Sequence, residues 1–145
     1  MYEIKAKAPT LPLGEEEMSE NEQLGEDDIQ VFTDGSGLYG QVGAAAVMYR
    51  RGQGPRVLRY HLGSLTEHTV FEAEAVGLLL ALHMLKYERD IPWAVIRLDN
   101  QAVLGALHIR KPSPAQTIID EILVQMERNW ARVHDPAYTL EVTWV

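Results

Sequence analysis

Hydrophobic and polar residues alternate along several short stretches of the chain, which is the pattern of β-strands that bury one face. The first alternation runs from Ile29 to Asp34, where Gly35-Ser36-Gly37 is expected to end the strand. The uncharged run from Val42 to Tyr49 consists largely of small and β-branched residues and predicts a strand buried on both faces. The five predicted strands lie at residues 29–34, 42–49, 56–62, 93–98 and 140–144.

Helical patterns separate these strands into groups. Thr69 to Arg89 predicts the most strongly marked helix, because Thr69 can cap it and Glu72 stands at the capping-box position. Its centre is almost wholly apolar, so we expect this helix in the middle of the fold. Two further helices are predicted, over residues 102–109 and between Pro114 and Asp135-Pro136.

The element order is therefore three strands, a helix, a strand, one or two helices and a final strand. Three consecutive antiparallel strands followed by strand–helix alternation predict a mixed sheet covered by helices. The expected fold class is α/β, in the mixed α+β sense.

Charge is distributed unevenly along the chain. Residues 1–28 hold nine acidic side chains and two lysines, so they carry almost all of the net charge of −8. This segment is predicted to be an acidic flexible leader, because it cannot bury enough apolar surface to offset the entropy of ordering. An acidic interaction segment is the alternative. Residues 29–145 are close to neutral and form the predicted single domain.

The composition excludes several kinds of chemistry. The chain has no cysteine, which excludes disulfides, thiolate zinc sites and a cysteine nucleophile, and which fits an intracellular (cytoplasmic or nuclear), reducing compartment. No apolar run approaches the roughly 20 residues of a membrane-spanning helix, and we expect no secretory signal. The five histidines show no ligand spacing and are expected at the surface or at its boundary.

Three carboxylates stand out, and each has an ordinary structural explanation. Asp34 ends a strand before glycine and could be a turn aspartate. Glu74 shares a helix face with apolar residues, where a buried charge is costly unless it is paired or bound to a metal. Alternatively, it lies at the edge of that face in the first turn, where the helix dipole favours a carboxylate. Asp99 ends a strand and could cap the helix that starts at Ala102.

Taken together, the three carboxylates indicate a site for a hard divalent cation. Mg²⁺ prefers oxygen ligands and keeps several waters, so a few carboxylates suffice. Such a cluster can activate a water and stabilise the departing oxygen of a phosphodiester. We therefore expect Asp34, Glu74 and Asp99 to be catalytic and metal-binding.

The motifs around these residues resemble the ribonuclease H domain, especially the type that follows reverse transcriptases in fungal retroelements. The matching stretches are VFTDGSG (31–37), VGAAAVMYR (42–50), HTVFEAEAVGLLLALHML (68–85), IRLDNQAVLGAL (96–107) and LEVTWV (140–145). They follow the family's order and spacing across residues 29–145. The resemblance implies a ribonuclease H-like fold, with a five-stranded mixed sheet in order 3-2-1-4-5 flanked by helices.

The activity implied by the resemblance is hydrolysis of the RNA strand of an RNA/DNA hybrid. A water activated at a two-metal site of Mg²⁺ or Mn²⁺ attacks the phosphorus and leaves a 3′-hydroxyl and a 5′-phosphate. The resemblance implies that Asp34 is the ligand that both ions share and that Glu74 and Asp99 are the other ligands of this set. Four more residues match positions that contact the hybrid's backbone or minor groove: Ser36, Thr69, Asn100 and Gln101.

The sequence departs from the family after its last strand. In the family, a strand like LEVTWV leads into a Gly-His loop and a helix with a fourth metal-binding aspartate, whereas this sequence stops at Val145. We therefore expect the C-terminal helix to be missing and turnover to be impaired. We also expect the uncovered apolar strand to favour homodimerisation or strand exchange. The alternative function is a catalytically degenerate binding or scaffold module that keeps the fold.

Overall fold

The computed structural model describes residues 2–4, 25, 28–89, 91–99, 101–108, 116–133 and 138–144. Its strands are β1 (Tyr2–Ile4), β2 (Ile29–Leu38), β3 (Gln41–Arg50), β4 (Arg56–Ser64), β5 (Trp93–Leu98) and β6 (Thr139–Trp144). Its helices, within the same residues, are α1 (Val70–Leu85), α2 (Gln101–His108) and α3 (Gln116–Val133).

All six strands join one sheet in the order β1-β6-β5-β2-β3-β4. β2, β3 and β4 form an antiparallel meander, whereas β5 and β6 run parallel to β2. Counted from Ile29, the five main strands follow the order 3-2-1-4-5. The predicted mixed sheet and ribonuclease H-like fold are therefore confirmed.

The sixth strand, β1, was not expected from the sequence. It pairs in parallel with β6, from Tyr2 opposite Leu140 to Ile4 opposite Val142. A strand thus replaces the expected flexible leader at residues 2–4, while the rest of that segment, apart from Gly25 and Asp28, lies outside the described residues. The prediction of homodimerisation or strand exchange rested on an uncovered apolar final strand with an unprotected sheet region. In the structure, β1 of the same chain pairs with the outer edge of β6, so this edge gives no support to the prediction.

Two expectations about β2 and β3 are corrected. β2 does not end at Gly35 but continues to Leu38. The turn into β3 lies instead at Tyr39 and Gly40, whose φ angles are 52° and 74°. Glycine also adopts extended backbone, so a Gly-Ser-Gly sequence does not by itself end a strand. β3 is fully buried on one face only, because every second residue from Val42 to Met48 is buried and those between are partly exposed.

Two glycines allow the backbone of α1 to lie directly against the sheet. A Cβ on Gly35 would lie only 2.4 Å from the backbone nitrogen of Glu74. A Cβ on Gly77, at the next turn of the helix, would lie 3.3 Å from the Cβ of Thr33. Since any larger side chain at Gly35 would meet helix backbone, this glycine sets how closely α1 approaches β2.

The predicted start of α1 is confirmed. The hydroxyl of Thr69 accepts a hydrogen bond from the backbone N–H of Glu72 at 3.1 Å, which satisfies one of the free donors of the first turn. The helix ends at Leu85 rather than at Arg89. The predicted start of α3 at Pro114 lies outside the described residues.

The hydrophobic core lies between the three helices and one face of the sheet. Val31, Met48, Ile96 and Val142 are neighbours across four strands and belong to this core. Helix residues that complete the core include Leu78, Leu104 and Ile122. Among the described residues, no helix is both long and apolar enough to cross a membrane.

A buried glutamate ties the chain just after α1 to the β3–β4 hairpin. Glu88 is 8% exposed, and its Oε2 lies 2.9 Å from Nη1 of Arg50. Its other carboxylate oxygen meets the guanidinium of Arg56. Arg50 also donates to the backbone carbonyl of Arg89 at 3.1 Å. The end of β3 is therefore hydrogen-bonded to the chain that follows α1.

Candidate active site

Asp34 and Asp99 lie side by side where β2 and β5 stop pairing. The parallel register pairs Phe32 with Arg97. Two positions further along the chain come Asp34, which is still in β2, and Asp99, the residue directly after β5. Their carboxyl groups lie close enough for Asp99 to raise the pKa of Asp34. The structure therefore brings together two of the three carboxylates that the sequence singled out.

Three effects raise the pKa of Asp34 above its usual value. Burial of its carboxyl group is the largest, followed by the negative charge of Asp99 and by the hydrogen bond between the two side chains. The backbone N–H of Gly35 acts in the opposite direction. Both aspartates remain in contact with solvent, so the desolvation of Asp34 is partial.

The contact between two carboxyl groups indicates what could bind there. Two carboxylates in contact repel each other unless a proton or a cation lies between them. Oxygen ligands on adjacent strands suit a hard divalent cation, which would replace the shared proton. The residues present therefore fit the magnesium or manganese ion that the sequence implied.

Glu74 approaches this pair through the backbone. Its nitrogen and Cα lie against Gly35, the residue that directly follows Asp34. The side chain is partly exposed rather than buried in the apolar face. Because α1 begins at Val70, Glu74 falls beyond the first turn, and Glu72 is the acidic residue of that turn. The helix dipole is thus a weaker explanation for Glu74 than it appeared from the sequence.

The site is not a ready-made cage for an ion. Within the part of the chain that the structure describes, no three His, Asp or Glu side chains converge closely enough to hold a metal. The alternative explanation of Asp99 as a helix cap is also weakened. α2 begins at Gln101, so Asp99 lies two residues before the helix, and its carboxyl group meets Asp34 instead.

The four predicted substrate-binding residues have different surroundings. Ser36 is exposed on β2, beyond Asp34. Thr69 is exposed and its hydroxyl caps α1, with the Glu72 carboxylate 3.4 Å away. Gln101 is the first residue of α2. Asn100 lies outside the described residues.

A cleft of about 310 Å³ opens beside Asp34 on the surface of β2, β3 and β4. Its lining combines the predicted site with basic residues of β4 that the sequence analysis did not select. The lining residues are Asp34, Ser36, Gly43, Ala44, Ala45, Arg59, Tyr60 and His61. The alternation of β4 already indicated that Arg59 and His61 share a face, but only the strand order shows that Asp34 lies on the same face.

Solved structures of ribonuclease H proteins share this fold. The RNase H1 of the halophilic archaeon Halobacterium salinarum NRC-1 is 16% identical, with 81% of this chain and 85% of that chain covered and a TM-score of 0.58. The N-terminal RNase H domain of a Mycobacterium tuberculosis protein is 17% identical, with 81% and 86% covered and a TM-score of 0.59. LC11-RNase H1, solved in complex with an RNA/DNA hybrid, is 16% identical, with 81% and 84% covered and a TM-score of 0.59.

At these identities the similarity establishes the fold and leaves the activity to be argued from the site. Comparison with protein-family models gives no match, and comparison with curated proteins gives no significant match.

Proposed function

We propose that this chain is a ribonuclease H-type endonuclease that hydrolyses the RNA strand of RNA/DNA hybrids with Mg²⁺ or Mn²⁺. The observation that carries the proposal is the direct contact between Asp34 and Asp99 at the centre of a ribonuclease H-like sheet. The motif series of the sequence supports the retroelement-associated type of this domain.

Asp34 and Asp99 would hold the cation, and Glu74 is the third candidate ligand because its backbone adjoins Gly35. When bound, such an ion supplies Lewis acidity toward a phosphodiester oxygen and lowers the pKa of a water. The protein's contribution is placement. Both aspartates are anchored at the ends of a paired region of sheet, so they need little ordering before the reaction.

Ser36 extends the site along the substrate. It lies two residues beyond Asp34 on the same face of β2, is exposed, and carries a hydroxyl that can donate to a phosphate oxygen or accept from a 2′-hydroxyl. Recognition through hydroxyl and backbone contacts would select the shape of a hybrid rather than a base sequence.

The alternative of a binding module without catalysis explains the site less well. Two like charges in contact destabilise the fold, and a module that only binds a partner has no need for them. A carboxyl group whose pKa is raised by a neighbouring carboxyl group is typical of a functional site. For this reason the carboxyl pair favours the nuclease.

The proposal is tested with an end-labelled RNA strand annealed to DNA, incubated with the chain in Mg²⁺ or in Mn²⁺. We expect RNA fragments with 3′-hydroxyl ends, no cleavage of single-stranded RNA, and none of duplex DNA. Asp99→Asn should reduce the rate by about a hundredfold or more, because one cation ligand loses its charge.

Glu127→Gln is the matched control, since Glu127 is an exposed acid on α3 and its loss removes the same charge away from the site. It should cleave at the wild-type rate. If the wild-type chain leaves the hybrid intact in both metals, the nuclease proposal is wrong. If neither metal raises its thermal midpoint, the proposed cation site is wrong as well.

A further inference from the structure

Two rows of side chains cross the sheet from β2 to β4 beside the carboxyl pair. In the first row, the register places Ala45 opposite Asp34 and Arg59 opposite Ala45. In the second row, Gly43 lies opposite Ser36 and His61 opposite Gly43. Residues opposite one another in a sheet point to the same face, so the basic residues of β4 and the acidic site of β2 face the same space.

The middle strand leaves that space open. Its two positions in these rows, Ala45 and Gly43, carry nothing larger than a methyl group, so they form the floor of the cleft beside Asp34. Neighbouring strands lie about 4.8 Å apart, which separates the β2 and β4 side chains by about 10 Å across the floor. The result is a groove with carboxylate and hydroxyl groups on one wall and cationic and imidazole groups on the other.

Arg59 differs from its neighbours on the same hairpin. Arg50 and Arg56 are held by Glu88, so their charges serve the fold. Arg59 is exposed, and among the described residues its guanidinium has no hydrogen-bond or ion-pair partner. It is therefore a cation of the groove that the protein itself does not neutralise.

The ring of His61 is oriented next to it. Its Nε2 lies 2.9 Å from Oε1 of Gln41, an interaction between β4 and the start of β3. With Nε2 engaged by that amide oxygen, the other ring nitrogen remains for a ligand in the groove. His61 thus contributes a second polar group to the same wall of the groove, two residues from Arg59 on the same strand.

We propose that Arg59, supported by His61, binds a phosphodiester of the nucleic-acid substrate next to the one that reaches Asp34 and Asp99. A planar guanidinium matches the geometry of phosphate oxygens and binds them in a bidentate manner. It also offsets the repulsion that a phosphate backbone meets from the two aspartates. The inference rests on the proposed function, because it names how the same substrate is held in the groove.

The test compares Arg59→Gln with Arg51→Gln. Arg51 is an exposed arginine of the β3–β4 turn outside the groove, so the control loses the same charge from the same hairpin. For Arg59→Gln we expect KM for the hybrid to rise about tenfold with little change in kcat, and the slope of log Kd against log salt to fall by about one. Arg51→Gln should leave both quantities at the wild-type values.

Arg59→Lys separates geometry from charge. It keeps the cation but loses the planar fork, so its KM should lie between those of the wild type and Arg59→Gln. His61→Gln should give a smaller rise in KM than Arg59→Gln. Thermal midpoints close to that of the wild type for all four variants show that the comparison concerns binding rather than folding.

The outcomes distinguish this inference from the proposed function. If the wild type cleaves the hybrid but Arg59→Gln behaves like Arg51→Gln, the groove inference is wrong and the nuclease stands. If the wild type binds the hybrid without cleaving it, the nuclease fails and the Kd values alone decide the role of Arg59. If the wild type neither binds nor cleaves, both are overturned. A fall in kcat with KM unchanged would also contradict a binding role.

Discussion

Acidic side chains meet two opposite electrostatic environments near the two ends of α1. Past the C-terminal end, Glu88 is nearly buried and its carboxylate contacts two arginines. On the sheet beside the N-terminal half, Asp34 contacts another carboxyl group, and no lysine or arginine of the described residues forms an ion pair with it. The protein balances the charge of the first acid with its own arginines, whereas under the proposed function a bound cation would balance the second.

This contrast predicts that neutralising Asp34 mainly lowers activity, whereas neutralising Glu88 mainly lowers stability. The largest expected effect is the loss of activity. Asp34→Asn should lower hybrid cleavage by about a hundredfold or more, because the variant lacks the proposed cation ligand. At pH 7 it should leave the free energy of unfolding unchanged or raise it by up to about 0.5 kcal/mol, since a partly exposed repulsion is removed. Cleavage assays and urea unfolding on the same protein provide both values.

A clear loss of stability in Asp34→Asn would contradict the comparison. It would mean that the aspartate is held by an attractive network, as Glu88 is, and that its contact with Asp99 has a structural role.

The next largest effect concerns Gly35, which allows the backbone of α1 to pack closely against β2 beside the carboxyl pair. Gly35→Ala places a Cβ 2.4 Å from the backbone nitrogen of Glu74, and helix backbone cannot move aside easily. We expect a loss of about 3 kcal/mol in the free energy of unfolding, together with lower cleavage, because α1 must shift away from Asp34. Urea unfolding and cleavage assays on the purified variant measure both effects.

Gly105→Ala provides the matched control for that substitution. Apart from the backbone of α2 itself and the neighbouring residues in the chain, no atom of the described residues lies within 4 Å of a Cβ at this exposed position. Alanine should therefore stabilise the chain by about 0.5–1 kcal/mol through helix propensity. Equal effects of the two alanines would show that Gly35 does not determine the position of the helix.

Removing the charge of Glu88 should have the reverse signature of Asp34→Asn. Glu88→Gln leaves Arg50 half-buried without its carboxylate partner, so the free energy of unfolding should fall by about 2 kcal/mol. Cleavage per folded molecule should stay at the wild-type level, because Arg56 lies opposite Met48 on the core face of the sheet, whereas the groove is on the other face. Loss of activity at a temperature where the variant is fully folded would show that the two regions are coupled.

The smallest effect is a pH dependence of stability. The raised pKa of Asp34 means that the folded chain holds this proton more tightly than the unfolded chain does. The stabilisation that the protonated Asp34 gives to the fold is therefore fully present below the ordinary aspartate pKa of about 4. It is lost as the pH rises through the raised pKa of the folded state. We expect a change of less than about 1 kcal/mol, since the group is partly exposed.

Urea unfolding of the wild type and of Asp34→Asn between pH 3 and pH 7 isolates this term as the difference between the two curves. Adding Mg²⁺ or Mn²⁺ at pH 7 should raise the thermal midpoint of the wild type and not that of the variant, because a ligand of the folded state stabilises it. If the difference in the free energy of unfolding between the two proteins does not change with pH, the pKa of Asp34 is not raised in the folded chain. The electrostatic contrast between Asp34 and Glu88 would then be wrong.

The five main strands and the start of α1 could be predicted from the sequence because their signals are local. An alternation of apolar and polar residues over six to ten positions is enough to predict a strand. Thr69 and Glu72, three residues apart, are enough to predict the start of a helix. The three carboxylates were recognised from their placement along the elements and from the motif series. The contact between Asp34 and Asp99 could not be derived from local pattern, because it depends on the parallel register of β2 and β5.

Features that depend on distant neighbours escaped prediction. Gly35 has the sequence context of a turn, and its close approach to α1 follows only from the packing of the helix. Arg59 is an ordinary exposed residue of β4 until the order β2-β3-β4 places it across the groove from Asp34. β1 has three residues, too few for a periodic pattern, and its partner lies at the other end of the sequence.

The pairing of β1 with β6 also has a consequence for the order in which the molecule assembles. Tyr2 and Leu140 are separated by almost the whole chain, whereas the β2–β3–β4 meander joins residues close in sequence. Contacts of such long sequence separation form late, and a three-residue edge strand opens readily. In hydrogen exchange, the outer edge of β6 should therefore lose protection well before its inner edge, which pairs with β5. The backbone amides at the outer edge of β6 would be hydrogen-bonded to β1 most of the time and would be exposed briefly whenever β1 detaches.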